Sequence, residues 1–143
     1  MNDVERNVEN VRRLEEAFNG RDYSVLGDLI SAGFEGHNPG SNTVTVEGLR
    51  DNNESWLGAM PDKGTEVICA FGSGDRVVAR IRDRGTNTGG VPWLGIPADG
   101  KMMDIDWIQI TRHDQQGRIV EMWALADLPR LLSQLGATLR WGD

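Results

Sequence analysis

Cysteine occurs once in the 143-residue chain and histidine twice. A single cysteine, Cys69, closes no internal disulfide and supplies no zinc cluster. With only His37 and His113 available, the composition argues against a histidine-based metal centre, and no metal is expected. No apolar run approaches the ~18 residues of a membrane span. The start of the chain is charged and lacks the apolar core of a secretory leader, so a cytoplasmic protein without membrane contact is expected. No basic run offsets the net charge of −7, which repels nucleic-acid phosphates. Internal repeats and low-complexity linkers are missing too. Residues 1–143 therefore read as one domain, since ~100–200 residues per domain is usual. Such a chain buries ~68–70% of its unfolded surface and needs no staple. What is left is a soluble protein that handles a neutral or mildly polar small molecule.

The most informative stretch is Lys101–Trp123, two long strands joined through His113-Asp114-Gln115-Gln116-Gly117. In the first, Met103, Ile105, Trp107 and Gln109 alternate with Asp104, Asp106, Ile108 and Ile110. In the second, Ile119, Glu121 and Trp123 alternate with Val120, Met122 and Ala124. Such alternation gives each strand two different environments. Gln109 is the polar exception on an apolar face: that face is either wetted or lines a pocket.

Earlier in the chain, Val4, Val8, Val11, Leu14 and Phe18 form one helical stripe between Asn2 and Asn19. Asn2 and Glu5 have capping-box spacing, and Gly20 is the expected left-handed terminator. A short helix turns Val25, Leu26 and Leu29 inward. Gly33-Phe34-Glu35-Gly36 and the turn His37-Asn38-Pro39-Gly40 are non-helical. A third helix, Val46–Met60, carries Leu49, Asn52, Asn53, Trp56 and Met60 on one face and stops at Pro61. Strands follow at 65–71 and 76–88, the second with Val77, Ala79, Ile81, Asp83 and Asn87 on one face and Arg80, Arg82 and Arg84 on the other. Cys69, flanked by Val67, Ile68, Ala70 and Phe71, reads as a small buried hydrophobe. A last helix spans Leu128–Leu135, capped by Asp127 and closed by Gly136. Helices first and long antiparallel strands after them give an α+β order, here a strongly curved sheet whose helices enclose a cone-shaped cavity.

Several motifs occur in an order that resembles the SnoaL-like polyketide cyclases, relatives of nuclear transport factor two, ketosteroid isomerase and limonene epoxide hydrolase. They are Glu16-Ala17-Phe18-Asn19, His37-Asn38-Pro39-Gly40, Val46-Glu47-Gly48-Leu49, Met60-Pro61-Asp62, Arg84 through Gly89, Leu94 through Lys101, Gly117 through Trp123 and Gln134-Leu135-Gly136. The resemblance implies a cone-shaped α+β barrel with a deep apolar pocket, no cofactor, and a homodimer or homotetramer. It implies ring closure of a polyketide ester with an aspartate as acid and base. The departures bear on that chemistry. Relatives often read Glu-His-Trp-Asp where this chain reads Glu121-Met122-Trp123-Ala124, so Ala124 stands at the catalytic aspartate's position and Met122 at a common histidine's. Gln109 stands where relatives carry an acidic residue or histidine, and Asn87 replaces a histidine.

The candidate site is accordingly built from other residues. Asp83, at a pocket-facing strand position, is the candidate proton shuttle; the alternative is an ion pair with Arg82, Arg84 or a cross-strand partner. Gln109, Asn38 and His37 are the further catalytic candidates, although a turn histidine is more often a structural hydrogen-bonder. Asn52, Asn53, Asn87, Trp56, Trp107, Met103, Met122 and Ala124 are expected to line the substrate site. Amides there would orient an enolate or alkoxide as an oxyanion hole does. Trp123 and Glu121 are assigned to the opposite sheet face, with Asp104 and Asp106 unless the register slips by one residue. His113 reads as a solvated turn residue. The expected function is a cyclase or isomerase that folds an apolar oxygenated substrate and assists it with one carboxylate. Epoxide opening and non-catalytic binding are the rival readings.

Overall fold

In the computed structural model, which describes residues 1–38, 43–137 and 142, the first stripe forms α1 (Asp3–Gly20). Asn2 Oδ1 accepts from the Glu5 N–H at 2.8 Å, and the Glu5 carboxylate accepts from the Asn2 N–H at 3.2 Å. Two otherwise orphaned donors are thereby satisfied. Val11 and Leu14 are fully buried. The terminator differs from expectation: Arg21, not Gly20, is left-handed, at φ 53°. A side chain there costs ~1–2 kcal/mol, and the Arg21 guanidinium is held by Glu54 at 2.8 Å.

A 3-10 turn, Tyr23–Val25, leads into α2 (Leu26–Leu29). The next segment, which the sequence presents as a loop, is a strand, β1 (Ile30–His37). Its glycines weaken the strand signal, yet Phe34 and Gly36 alternate inward. It runs parallel to the last strand, with Gly36 opposite Met122 and His37 opposite Trp123. His37 therefore ends a strand instead of opening a turn, and Pro39 and Gly40 lie outside the described residues. After α3 (Val46–Ala59), capped by Thr45, come β2 (Gly64–Ser73), β3 (Arg76–Thr86), β4 (Met102–His113), β5 (Ile119–Ala126) and α4 (Leu128–Gln134). The sheet order is β1-β5-β4-β3-β2, antiparallel throughout except for the β1–β5 pair. The edge strands β1 and β2 do not close on one another, so the fold is an open α+β cone and not a sealed barrel.

One face of the sheet carries the core. Val77, Ala79 and Ile81 of β3 pack with Val11 of α1, while Met122 and Ile119 of β5 pack with Leu14, Leu29 and Phe34. Asp127 caps α4 through the Arg130 N–H, as its position predicts. On the opposite face Arg80 pairs with Asp106, and Arg82 grips Asp104 at 2.8 and 2.6 Å. Asp104 and Asp106 thus face outward and no register slip occurs. Bulges change two other assignments. A register shift between Val67 and Cys69 turns the cysteine outward, so it is exposed and not buried. A second shift, between Arg112 and His113, breaks strict alternation in β5 and leaves Ile119 buried on the same side as Met122.

His113 is also not solvated. It is 3% exposed, with Nδ1 2.9 Å from the Gly117 carbonyl and Nε2 2.8 Å from Thr111 Oγ1. A carbonyl only accepts, so the proton sits on Nδ1 and the Thr111 hydroxyl donates to Nε2. Burial pushes this imidazole below its ordinary pKa, which keeps it neutral. The same Gly117 carbonyl accepts from Asn10 Nδ2 at 2.9 Å, tying α1 to the β4–β5 turn.

The loop between β3 and β4 docks against α3 through Gly89, whose N–H donates to the Ala59 carbonyl at 2.9 Å. A Cβ on Gly89 would stand 2.1 Å from the Gly58 carbonyl oxygen, whereas one on Gly58 would meet nothing within 4 Å. Gly89→Ala is therefore expected to cost ~1–3 kcal/mol by forcing backbone apart. Gly58→Ala, inside a helix, is expected to stabilise by ~0.5–1 kcal/mol. Denaturant midpoints of the two variants, moving in opposite directions, check this.

Candidate active site

The core-bearing sheet face and α3 enclose a cavity in two connected chambers. The outer chamber, about 260 Å³, is lined by Asn38, Leu49, Asn52, Asp83, Ile105, Trp107, Met122, Ala124, Ala126 and Leu128. The inner chamber, about 100 Å³, shares Leu49, Asn52, Asp83, Trp107 and Met122 and adds Glu15, Phe18, Asn53, Trp56, Lys63, Thr65 and Gln109. One water takes a share of ~30 Å³ in the liquid, so the inner chamber is sized for a few waters or a small polar head.

Asp83 reaches both chambers because it continues the inward alternation Val77, Ala79, Ile81. Its partner is neither Arg82 nor Arg84. Thr65, directly opposite on β2, donates its hydroxyl proton to Asp83 Oδ1 at 2.6 Å. Lys63 Nζ in turn donates to Thr65 Oγ1 at 3.1 Å. A cation is thus relayed to the carboxylate through a hydroxyl, and the second carboxylate oxygen is left for other partners.

Glu15, which the sequence reading overlooks, supplies a second carboxyl to the inner chamber. It is 6% exposed. Burial first, and then the Asp83 charge, raise its pKa from 4.5 to about 8, against a smaller opposing effect of Lys63. Two carboxylates sharing a poorly solvated space do not both ionise readily, so Glu15 keeps its proton at neutral pH. The available signal was positional: Glu15 lies four residues after Val11 and three before Phe18, inside the apolar stripe.

Gln109 is 1% exposed and stands between Ala79 and Ala124 on the flanking strands, small side chains that leave room beside it. Among the described residues, neither its amide nitrogen nor its oxygen has a hydrogen-bond partner, and neither does the indole N–H of Trp107. More than nine in ten buried polar groups are paired in native proteins, so these three exceptions require an explanation.

The other expected lining residues divide. Asn38, Trp56, Trp107, Met122 and Ala124 line the cavity, with Asn52 at its exposed rim. Asn53 also lines it, but its amide N–H groups are taken by the Phe18 carbonyl and the Tyr23 hydroxyl, each at 3.0 Å. Three residues lie elsewhere. β3 ends at Thr86, so Asn87 falls beyond the alternation; it is wholly buried and clamps the following loop through the Pro97 carbonyl, Asp99 and the Gly90 N–H. Met103 is covered by α4 and that loop, packing with Met60, Val91 and Leu131. His37 lies over Trp123 and binds Glu121 at 2.8 Å. With Arg112 on its other oxygen, Glu121 is held below the usual carboxylate range, chiefly by the His37 hydrogen bond. Ligand atoms of Glu35, His37 and Glu121 come within 4.8 Å of one another, but the Arg112 guanidinium beside them opposes a cation.

The raised pKa of Glu15 has a stability consequence. In the unfolded chain the carboxyl ionises near pH 4.5, whereas in the fold it holds its proton to about pH 8. The folded state therefore binds more protons between these values, and stability falls as pH rises through that window. Glu15→Gln is expected to remove this slope, making the variant more stable than the parent at pH 8.5 relative to pH 4.5. Urea unfolding at both pH values measures it.

Residues 8–135 match the family described as SnoaL-like polyketide cyclase. No curated protein sequence matches significantly. IdmH of Streptomyces antibioticus, assigned as a polyketide cyclase, superposes with a TM-score of 0.80 at 28% identity, covering 92% of this chain and 99% of that one. A protein of Jannaschia sp. CCS1, assigned as a SnoaL-like polyketide cyclase, gives 0.81 at 26% identity over 95% of both chains. AclR of Streptomyces galilaeus, assigned as a hydroxylase, gives 0.77 at 25% identity, covering 91% of this chain and 94% of that one. The inward sheet face, the two-chamber cavity and these likenesses agree: the chain belongs to the SnoaL-like polyketide cyclase family.

Proposed function

We propose that this protein is a cofactor-independent cyclase or isomerase of an apolar, oxygenated small molecule, in which Asp83 and Glu15 form the acid–base pair. The observation that carries the reading is that two carboxyls in different protonation environments line one chamber, one relayed to Lys63 and the other kept protonated by burial. Pairs of titratable groups pushed apart by their surroundings mark acid and base roles. Asp83 takes a proton from the substrate, and the Glu15 O–H donates to the oxygen on which charge develops. Met122 and Ala124, where relatives carry histidine and aspartate, leave Asp83 as the one titratable group lining the outer chamber among the described residues, and that chamber folds and holds the rest of the substrate. Such positioning can supply ~7–11 kcal/mol.

Epoxide opening by water is the second reading, favoured by the same pair, since that reaction also needs an acid, a base and room for a water. Solvent deuterium entering an enolisable ketone at its α-carbon, without incorporation of labelled water oxygen, is the expected result for a cyclase or isomerase; incorporation of one labelled oxygen into an epoxide-derived product supports the rival. Asp83→Asn is expected to lower the deuterium exchange rate by ~10²–10⁴-fold, the usual worth of a general base. Exchange at the parent rate in Asp83→Asn would remove Asp83 from the mechanism.

The assembly is a homodimer in this reading, joined through the outward sheet face. Phe71 (62% exposed), Leu125 (67%) and Ile108 (41%) stand there among the Arg80–Asp106 and Arg82–Asp104 pairs. An apolar patch rimmed by charges is the usual anatomy of an interface. Leu125→Glu combined with Phe71→Glu is expected to shift the sedimentation mass from dimer to monomer.

A further inference from the structure

We infer that the inner chamber is a recognition subsite for a neutral α-hydroxyketone head, read by Gln109 and Trp107. The inference rests on the reading that the cavity takes a small-molecule substrate, and it names the chemical group that enters first.

Gln109 is 1% exposed, lines the inner chamber and uses neither of its amide atoms within the described protein. Trp107, two residues earlier on the same strand face, lines both chambers and leaves its indole N–H unpartnered. These two side chains thus offer two donors, Gln109 Nε2 and Trp107 Nε1, and one acceptor, Gln109 Oε1. A glutamine amide holds donor and acceptor in one plane and reads a ligand presenting the complementary pair side by side, as it does at an adenine edge. A carbonyl oxygen with a hydroxyl on the adjoining carbon is such a pair: the carbonyl accepts from the two N–H groups, and the hydroxyl donates to Gln109 Oε1. Charge selects the neutral form. Asp83 and Lys63 share the chamber, linked through Thr65, so a head of either charge would meet a like-charged neighbour and a neutral one meets no such penalty. The apolar outer chamber, with Leu49, Ile105 and Met122, receives the hydrocarbon remainder.

A buried amide without a protein partner adds little to the stability of the free protein and much to binding of a matching ligand, which makes the assignment testable without turnover. Replacing Gln109 by leucine of similar size removes groups that have no protein partner, and such exchanges are neutral or stabilising in the free protein. Losing two hydrogen bonds to a ligand weakens its binding by roughly tenfold or more.

The experiment is calorimetric titration with phenacyl alcohol, acetophenone and ethylbenzene, alongside thermal melting of the unliganded proteins. For the wild type, phenacyl alcohol is expected to bind at least tenfold tighter than acetophenone, and acetophenone tighter than ethylbenzene. Gln109→Leu should erase the preference for phenacyl alcohol while melting at or above the wild-type temperature, and Trp107→Phe should weaken both ketones several-fold. Asp83→Asn should retain the preference, which separates recognition from proton transfer: exchange at the parent rate in that variant would count against the proposed function alone. Equal binding of all three probes, an unchanged preference in Gln109→Leu, or a melting temperature for that variant several degrees lower would each overturn the subsite, the last by showing that the amide serves the fold.

Discussion

The attachment of α1 to the sheet at its middle and at its C-terminal end is the constraint on which the rest of the site depends. Near its middle, Asn10 donates to the Gly117 carbonyl that also binds His113. At its far end, Asn19 and Thr65 exchange two hydrogen bonds: Asn19 Nδ2 donates to the Thr65 carbonyl at 2.7 Å, and the Thr65 N–H donates to Asn19 Oδ1 at 2.9 Å. Between these anchors the helix has little freedom to rotate, and Glu15 faces the sheet. Thr65 carries two duties at once, since its backbone holds α1 and its side chain holds Asp83. Helix position and carboxyl geometry are therefore set by one residue.

That arrangement accounts for an ionisable group inside an otherwise apolar stripe. A lone glutamate under a helix would be costly to bury ionised, and the fold meets that cost by leaving Glu15 protonated beside Asp83 and Lys63. The cation reaches Asp83 only through the Thr65 hydroxyl. The hydroxyl orients one carboxylate oxygen and keeps the cation out of direct contact with it.

Much of the fold was legible in the sequence because its signals are periodic. The α1 stripe with its capping box, the inward set Val77–Asp83, the Gln109 anomaly and the Asp127 cap all follow from spacing, and the structure has each of them. What escaped was non-periodic. β1 is disguised by glycine and exists through its parallel pairing with β5, a partner 80 or more residues away. Cys69 and Ile119 depend on bulges, which add one residue and reverse the side-chain order. Asn87 and Met103 were projected into the cavity by extending an alternation past the point where a loop or helix covers the strand. Glu15 was missed for a different reason: one carboxyl among five apolar stripe residues reads as a flank until the sheet supplies Asp83 opposite it. Sequence likeness located the cavity well but pointed to Met122 and Ala124, where this chain has no titratable group.

The bulge that turns Cys69 outward has a practical corollary. It is the chain's only sulfhydryl, and it is exposed on the sheet face opposite the cavity. A fluorophore or spin label attached there would be stoichiometric without any engineering of competing thiols. It would sit opposite Arg80, on the strand pair that also holds Thr65 and Asp83, placed to register changes in strand curvature and separated by the sheet from whatever occupies the chambers.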